Sequence, residues 1–304
     1  MTEFYLITGF LGAGKTTLIH SLLPLMRGRR VNVIVNEFGA VAPDEALLTG
    51  LGAEVMAVTG GSIFCACRIA EFEDALHDAL EQKPDVLLVE TSGLSDPRSV
   101  RDVTKEFERD GRLKYRGAIC LIDAPRFAAL LETARTIKRQ LAVADLVLLN
   151  KCDMVSQEFL ERTETLLTSV CPARVIRTTY GRIPPEAFGA LEPRGELPDG
   201  TDIMPDLTLQ RETVLIDPLM TKAQLNDFLK LLSEDTYRMK GILRLKTGVH
   251  LVDCVGTNLR VIAYDGAAEE ENALTLLAGA GMPLRQSLRA AIRRYDGLVR
   301  RRIG

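Results

Sequence analysis

Residues 9 to 17 read Gly-Phe-Leu-Gly-Ala-Gly-Lys-Thr-Thr, between the apolar run Phe4-Tyr5-Leu6-Ile7 and a helical pattern that starts at Thr17-Leu18-Ile19. No other stretch restricts the fold as much. Glycine admits backbone conformations that a side chain obstructs, so this turn can aim its N–H groups inward, and the helix that follows directs the positive end of its dipole at the same point. The spacing is G-x-x-x-x-G-K-[ST] without substitution, in a strand-to-helix context, which is the pattern of a phosphate-binding loop. Gly12, Ala13, Gly14, Lys15, Thr16 and Thr17 are expected to cradle phosphates, with Lys15 on the outer ones and the Thr16 hydroxyl on Mg²⁺.

Beyond the loop, short apolar runs alternate with helical segments as far as residue 180. Strands are predicted at residues 3 to 8, 31 to 36, 54 to 58, 85 to 90, 117 to 122, 145 to 150 and 174 to 178. Runs this rich in leucine and β-branched residues suit strands covered on both faces. The expected fold is therefore α/β: a P-loop NTPase with a mostly parallel sheet flanked by helices, plus a smaller C-terminal α+β domain. Residues 1 to 184 are assigned to the P-loop domain, and residues 185 to 211, rich in proline, glycine and acids, read as a linker. The α+β domain takes residues 212 to 304, with strands near 212 to 217, 237 to 246, 249 to 255 and 258 to 265 and helices near 221 to 233 and 282 to 301.

Ligands of such sheets gather past the C-terminal ends of the strands. Four polar clusters stand there: Asn36-Glu37-Phe38-Gly39, Glu90-Thr91-Ser92-Gly93, Asp123, and Asn150-Lys151-Cys152-Asp153. Glu90 is placed to hold Mg²⁺ directly or through water, and Gly93 allows close backbone approach to a γ-phosphate. Asn150-Lys151-Cys152-Asp153 matches N-K-x-D, in which the Asp153 carboxylate accepts hydrogen bonds from N1 and N2 of guanine. Adenine lacks that donor pair, so GTP and GDP are the expected nucleotides and an ATP-dependent kinase is disfavoured. Thr178-Thr179-Tyr180-Gly181 is expected to close over the base.

With these residues in view, the chain resembles the G3E family of P-loop GTPases, in the CobW-like branch that includes metal chaperones and cobalamin-related proteins. The phosphate loop, Asn36 to Gly39, Glu90-Thr91-Ser92-Gly93-Leu94-Ser95-Asp96-Pro97 and Asn150 to Asp153 carry the likeness, and Arg238-Met239-Lys240-Gly241-Ile242-Leu243 resembles the family's R-x-K-G-x-L strand. The resemblance implies a Mg²⁺-dependent GTPase that acts as a nucleotide-switched metallochaperone. The alternative is a GTP-driven chaperone or activator of a metalloprotein or corrinoid-enzyme client that carries no metal itself. Low basal turnover is expected, raised by a partner or by homodimerisation, with Lys15, Thr16, Glu37 and Glu90 as the catalytic set. Glu37 and Asp44 are the candidates for positioning the attacking water.

The family's C-x-C-C motif is altered here. The local sequence is Ile63-Phe64-Cys65-Ala66-Cys67-Arg68, so Arg68 replaces the third cysteine if Cys65 and Cys67 take the first two places. An alignment anchored on Glu73-Asp74-Ala75-Leu76 instead puts Ile63 and Ala66 at the first and third positions. Zinc and similar ions take about four ligands, so the two thiols need help, and Glu37 is the supplementary ligand of choice for Zn²⁺, Co²⁺ or Ni²⁺. Arg68 favours thiolates but opposes a bound cation.

Composition narrows the remaining classes. Hydrophobic residues at 46% and charged residues at 26% match a soluble globular protein. No apolar run reaches the roughly 20 residues of a membrane span and the start lacks a signal peptide's features, so a cytoplasmic location without membrane partners is expected. A net charge of −3 gives no global pull toward nucleic acid. Seven arginines between Arg285 and Arg302 are read as the solvated face of a terminal helix. The six cysteines make no disulfide framework.

Overall fold

The computed structural model describes residues 1–37, 54–59, 69–93, 97–195, 209–266, 271–279 and 281–302. The expectations placed on Asp44, Cys65, Cys67 and Arg68, and on the Asn36 and Glu37 side chains, lie outside what is described. Two compact units are present, Met1–Pro205 and Asp206–Gly304.

In the first unit, β1 (Thr2–Gly9), β2 (Val31–Glu37), β3 (Glu54–Thr59), β4 (Val86–Glu90), β5 (Leu113–Asp123), β6 (Leu146–Asn150) and β7 (Arg174–Arg177) form one sheet. Its order is β3-β2-β4-β1-β5-β6-β7, and every pairing is parallel. Strand periodicity explains how both faces are buried. Tyr5, Ile7, Val33, Leu88, Ile119 and Leu148 point to one side, where α1 (Lys15–Leu22) covers them with Leu18, Ile19 and Leu22. Phe4, Leu6, Ile34, Leu87 and Val89 point to the other, against α2 (Ile69–Glu81) and α3 (Arg98–Arg109) through Phe72, Leu76, Val100 and Val103. The helices α4 (Phe127–Thr133), α5 (Arg135–Val143) and α6 (Gln157–Val170) complete the crossovers. Strand β5 starts earlier than an apolar run suggests. Its first half, Leu113-Lys114-Tyr115-Arg116, alternates buried with exposed or half-buried residues and pairs with β1 through a register shift at Phe4/Tyr5.

The linker expected from residue 185 begins instead with structure. Pro184 and Pro185 open the short helix α7 (Pro185–Gly189), a position where the missing proline N–H costs nothing. Phe188 then stacks on Tyr5 at 4.7 Å, and Leu191 joins the same core.

The second unit is one antiparallel sheet, ordered β11-β10-β9-β12-β8-β13. Its strands are β8 (Leu209–Ile216), β9 (Arg238–Leu245), β10 (Gly248–Val255), β11 (Val261–Ala263), β12 (Ala273–Gly279) and β13 (Val299–Arg301). Two helices, α8 (Lys222–Leu232) and α9 (Leu284–Arg294), bury Leu225, Phe228, Leu229, Leu284 and Leu288 against Met239, Leu243, Val252, Leu274 and Leu276. The resembling segment Arg238 to Leu243 is thus a strand flanked on both sides, and a Cβ on Gly241 would fall 2.5 Å from the Ala273 carbonyl oxygen.

Here the structure departs from the expected terminal helix. Helix α9 ends at Arg294, Gly297 turns with φ 78°, and the chain returns as β13 beside β8. The arginines are therefore not one solvated face. Arg301 donates to Glu212 from Nε at 2.8 Å and from Nη2 at 2.7 Å, and Arg285 Nε donates to the same carboxylate at 2.9 Å. Glu212 is 6% exposed while the two arginines keep 46% and 65% exposure. That asymmetry predicts an order of stabilities. Glu212→Ala frees two cations that already reach water and should cost about 2 kcal/mol in lost charge-assisted hydrogen bonds. Arg285→Ala/Arg301→Ala strands a buried carboxylate and should cost more, about 3–4 kcal/mol. Urea unfolding of the whole chain checks this, and the reverse order contradicts it.

Among the described residues, no helix is long and apolar enough to cross a membrane.

Candidate functional site

Parallel pairing brings the C-terminal ends of five strands to one edge. Ile7 lies in register with Glu90, Val35 with Glu90, Gly9 with Leu121, and Asp123 with Asn150. Between β1 and α1 the loop turns back on itself, with left-handed φ at Gly12 (74°) and Gly14 (105°). A Cβ on Gly14 would sit 2.5 Å from Asn150 Nδ2. Only glycine lets these two clusters touch.

Lys15, buried on the first turn of α1, donates from Nζ to the Gly9 carbonyl at 3.0 Å and lies 3.8 Å from Glu90 Oε1. The Thr16 hydroxyl donates to Glu90 Oε2 at 3.2 Å. Glu90, 74 residues beyond Thr16 in the chain, is thus brought beside Lys15 and Thr16. A hydroxyl and a carboxylate this close form a pair of hard oxygen donors, the chemistry Mg²⁺ prefers, so Thr16 and Glu90 fit that ion. Behind them, the Thr91 hydroxyl donates to Thr8 Oγ1 at 3.0 Å and the Thr91 amide to the Ile7 carbonyl at 2.9 Å, which locks β4 onto β1 beside the loop. Gly93 sits against the phosphate loop, since a Cβ there would lie 2.6 Å from Leu11 N.

The Asn150 amide is a brace. Its Nδ2 donates to the Ala13 carbonyl at 2.8 Å and its Oδ1 accepts from Gly181 N at 3.0 Å, so it ties the phosphate loop to the turn after β7. Lys151 adopts φ 62°, and its ammonium meets Asp123 Oδ2 at 2.7 Å. Asp153 is exposed at the same strand end. Beside it opens a cavity of about 600 Å³ lined by Cys152, Thr178, Thr179, Tyr180 and Ile183, among others. Tyr180, with φ 56° and 67% exposure, stands at this cavity, where a base-closing residue was expected. Burial pushes the Cys152 thiol pKa up, against the lowering effect of backbone hydrogen bonding by Thr178, and the thiol donates to the Leu149 carbonyl at 3.0 Å. Burial and the bond to the Leu149 carbonyl thus both favour the thiol form of Cys152 over the thiolate.

Two contributors escaped the sequence reading. Asp123 was noted only as a strand end, yet it holds Lys151. Gln140 on α5 was missed, although its spacing from Ile137 and Leu141 places a polar residue on the buried face of that helix. Among the described residues, His77, Asp78 and Glu81 on α2 also bring donor atoms within 4.8 Å of one another, all on exposed side chains.

Residues 3–177 match the family model "CobW/HypB/UreG, nucleotide-binding domain". The chain belongs to this family. A zinc chaperone of Escherichia coli K12, YeiR, is 36% identical over 162 residues, which are 52% of this chain and 49% of YeiR. A second, the zinc chaperone YjiA of the same organism, is 34% identical over 187 residues, 59% of this chain and 58% of YjiA. The matches thus span about half to three fifths of these relatives. Among solved structures, the Zn(II)-bound YjiA GTPase of E. coli superposes over 96% of this chain and 98% of its own, with TM-score 0.47 and 20% identity.

Proposed function

We propose that this protein is a Mg²⁺-dependent GTPase whose nucleotide state governs the carriage of a transition-metal ion. The observation that carries the reading is the convergence of Lys15, Thr16 and Glu90 at one end of a phosphate loop that Asn150 braces to the base-side turn. In this reading Met1–Pro205 is the GTPase unit and Asp206–Gly304 the CobW-like C-terminal domain.

The backbone N–H groups from Gly12 to Thr17 cradle the phosphates, and the dipole of α1 adds to their pull. Lys15 leaves the Gly9 carbonyl for the outer phosphates, where its charge offsets what develops on them. Thr16 and Glu90 hold Mg²⁺, which neutralises phosphate charge when bound. Gly93 offers its N–H at the γ-phosphate, and Asp153 takes the N1 and N2 protons of guanine. With Glu37 and Asp44 as candidates for aligning water, basal turnover is slow and a partner or a second copy of the chain raises it.

Metal carriage draws on chain topology. Glu37 ends β2 in register with Thr59, the last residue of β3, and residues 60 to 68 with Cys65 and Cys67 follow directly. Glu37 also lies two residues past Val35, the register partner of Glu90. The nucleotide and thiol segments therefore leave adjacent strands, and the names of the zinc-chaperone relatives support Zn²⁺ over Co²⁺ or Ni²⁺ as cargo. Arg68, in the alignment where it replaces a third cysteine, favours the second reading, a GTP-driven chaperone or activator of a metalloprotein or corrinoid-enzyme client.

Titration of Zn²⁺, Co²⁺ and Ni²⁺ with GTP·Mg²⁺, with GDP and without nucleotide separates the two. Metal affinity should differ between nucleotide states and fall at least tenfold in Cys65→Ser/Cys67→Ser, since two of about four ligands are lost. Binding that ignores both the nucleotide and the thiols would transfer the assignment to the client chaperone.

A further inference from the structure

Gln140 lies on α5 with no exposed surface, and its Nε2 donates to the Gly93 carbonyl at 3.2 Å. Its other amide atom, Oε1, is equally buried and has no hydrogen-bond partner among the described residues. A reversed amide would place an oxygen against the Gly93 carbonyl, so the chemistry of the contact sets the orientation. Buried polar atoms in packed interiors are nearly always paired, and an orphaned one asks for a reason. An apolar residue would fill this place on α5 at less cost, as Ile137 and Leu141 do beside it.

The reason lies in what Gln140 touches. Gly93 packs closely against the phosphate loop at Leu11, and its carbonyl is held by Gln140. A glycine carries no side chain to fix its own orientation, so the direction of its N–H depends on what holds its neighbouring groups. The Gly93 N–H belongs to the Ser92–Gly93 peptide, a plane separate from that of the Gly93 carbonyl. With the Thr91 amide bonded to the Ile7 carbonyl on one side and the Gly93 carbonyl held on the other, that peptide is spanned between two anchored points and the directions open to its N–H are fewer. We infer that Gln140 is a positioning residue for γ-phosphate discrimination: by holding the Gly93 carbonyl it presents the Gly93 N–H to a nucleoside triphosphate and confers preference for triphosphate over diphosphate. This rests on the reading of Gly93 as the group that meets the γ-phosphate. Because the Gln140 hydrogen bond falls on Gly93, its effect is expected at the γ-phosphate and not at the α- and β-phosphates or the base.

The test compares Mg²⁺-loaded GTPγS with GDP in equilibrium binding to the whole chain. In Gln140→Leu, GTPγS affinity should fall about tenfold, the worth of one well-placed hydrogen bond, while GDP affinity stays within about twofold. A second variant, Gln140→Glu, keeps the shape and adds a pH readout. As a neutral acid it can donate to the Gly93 carbonyl, and burial favours that neutral form; as a carboxylate it repels the carbonyl. Its GTPγS-to-GDP preference should therefore decline with rising pH relative to the wild type, which a purely structural role does not produce. Equal losses for both nucleotides in Gln140→Leu, or an unchanged ratio together with a flat pH response in Gln140→Glu, overturn the inference. Failure of the wild type to bind guanine nucleotides overturns the underlying nucleotide reading instead.

Discussion

Asp153→Asn is expected to lower GTP affinity by a hundredfold or more and to abolish the preference for GTP over ATP. A carboxylate can accept two hydrogen bonds at once from the N1 and N2 protons of guanine, and charge-assisted hydrogen bonds contribute about 1.5–3 kcal/mol each. An asparagine keeps one acceptor and turns the other into a donor, which leaves a guanine proton facing an N–H. The same inversion suits a base with a carbonyl at that position, so xanthosine triphosphate should gain affinity as GTP loses it. Competition binding with GTP, XTP and ATP on wild type and variant checks both halves. The surroundings favour a clean result, because Asp153 is exposed and outside the Asn150 brace, so its change leaves the contacts to Ala13 and Gly181 in place. Unchanged selectivity would falsify the assignment of the base site.

Lys15→Ala should remove at least a hundredfold from the rate of GTP hydrolysis, the scale seen when one preorganised donor is taken from developing transition-state charge. Lys15 is 7% exposed and held between the Gly9 carbonyl and Glu90, so its ammonium is already desolvated and aimed along the loop. Its loss also leaves Glu90 with one positive neighbour fewer in a buried setting, which makes binding of a cation to Thr16 and Glu90 a larger share of what remains. Lys15→Arg keeps the charge but not the compact shape, and a planar guanidinium does not fit where the ammonium lies close to the Gly9 carbonyl. Arginine should therefore rescue little. Single-turnover hydrolysis with Mg²⁺ separates this chemical defect from weaker binding, and near wild-type turnover in Lys15→Ala would remove Lys15 from the catalytic set.

Much of the first unit was legible because its signals are local. The seven strands expected before residue 180 are the strands of the sheet, since runs such as Val86-Leu87-Leu88-Val89 have no side to show to water. The phosphate loop was legible for a similar reason: its glycines and Lys15-Thr16 need only their own neighbours to turn. Legibility failed where the deciding partner is distant in sequence. Pro184-Pro185 reads as a breaker until Tyr5 supplies a surface for Phe188. Ala273 to Gly279 carries no clear period and becomes β12 only because β8 and β9 offer backbone on either side. Arg300 to Arg302 looks like the end of a basic helix until Glu212, far back in the chain, pulls Arg301 into a strand.

What the amino-acid order determined alone is the type of machine: a glycine-rich turn, a parallel sheet and an Asn-Lys-x-Asp strand end are each specified within a few residues, by backbone freedom and by side-chain period. What only the tertiary structure decided is which of those groups support one another. Asn150 against Ala13 and Gly181, Lys151 against Asp123, and Gln140 against Gly93 are contacts between residues brought together by the strand order β4-β1-β5-β6 and the helices laid over it. Such pairs leave no periodic trace, because a hydrogen bond across a sheet edge depends on distance in space and not on spacing along the chain.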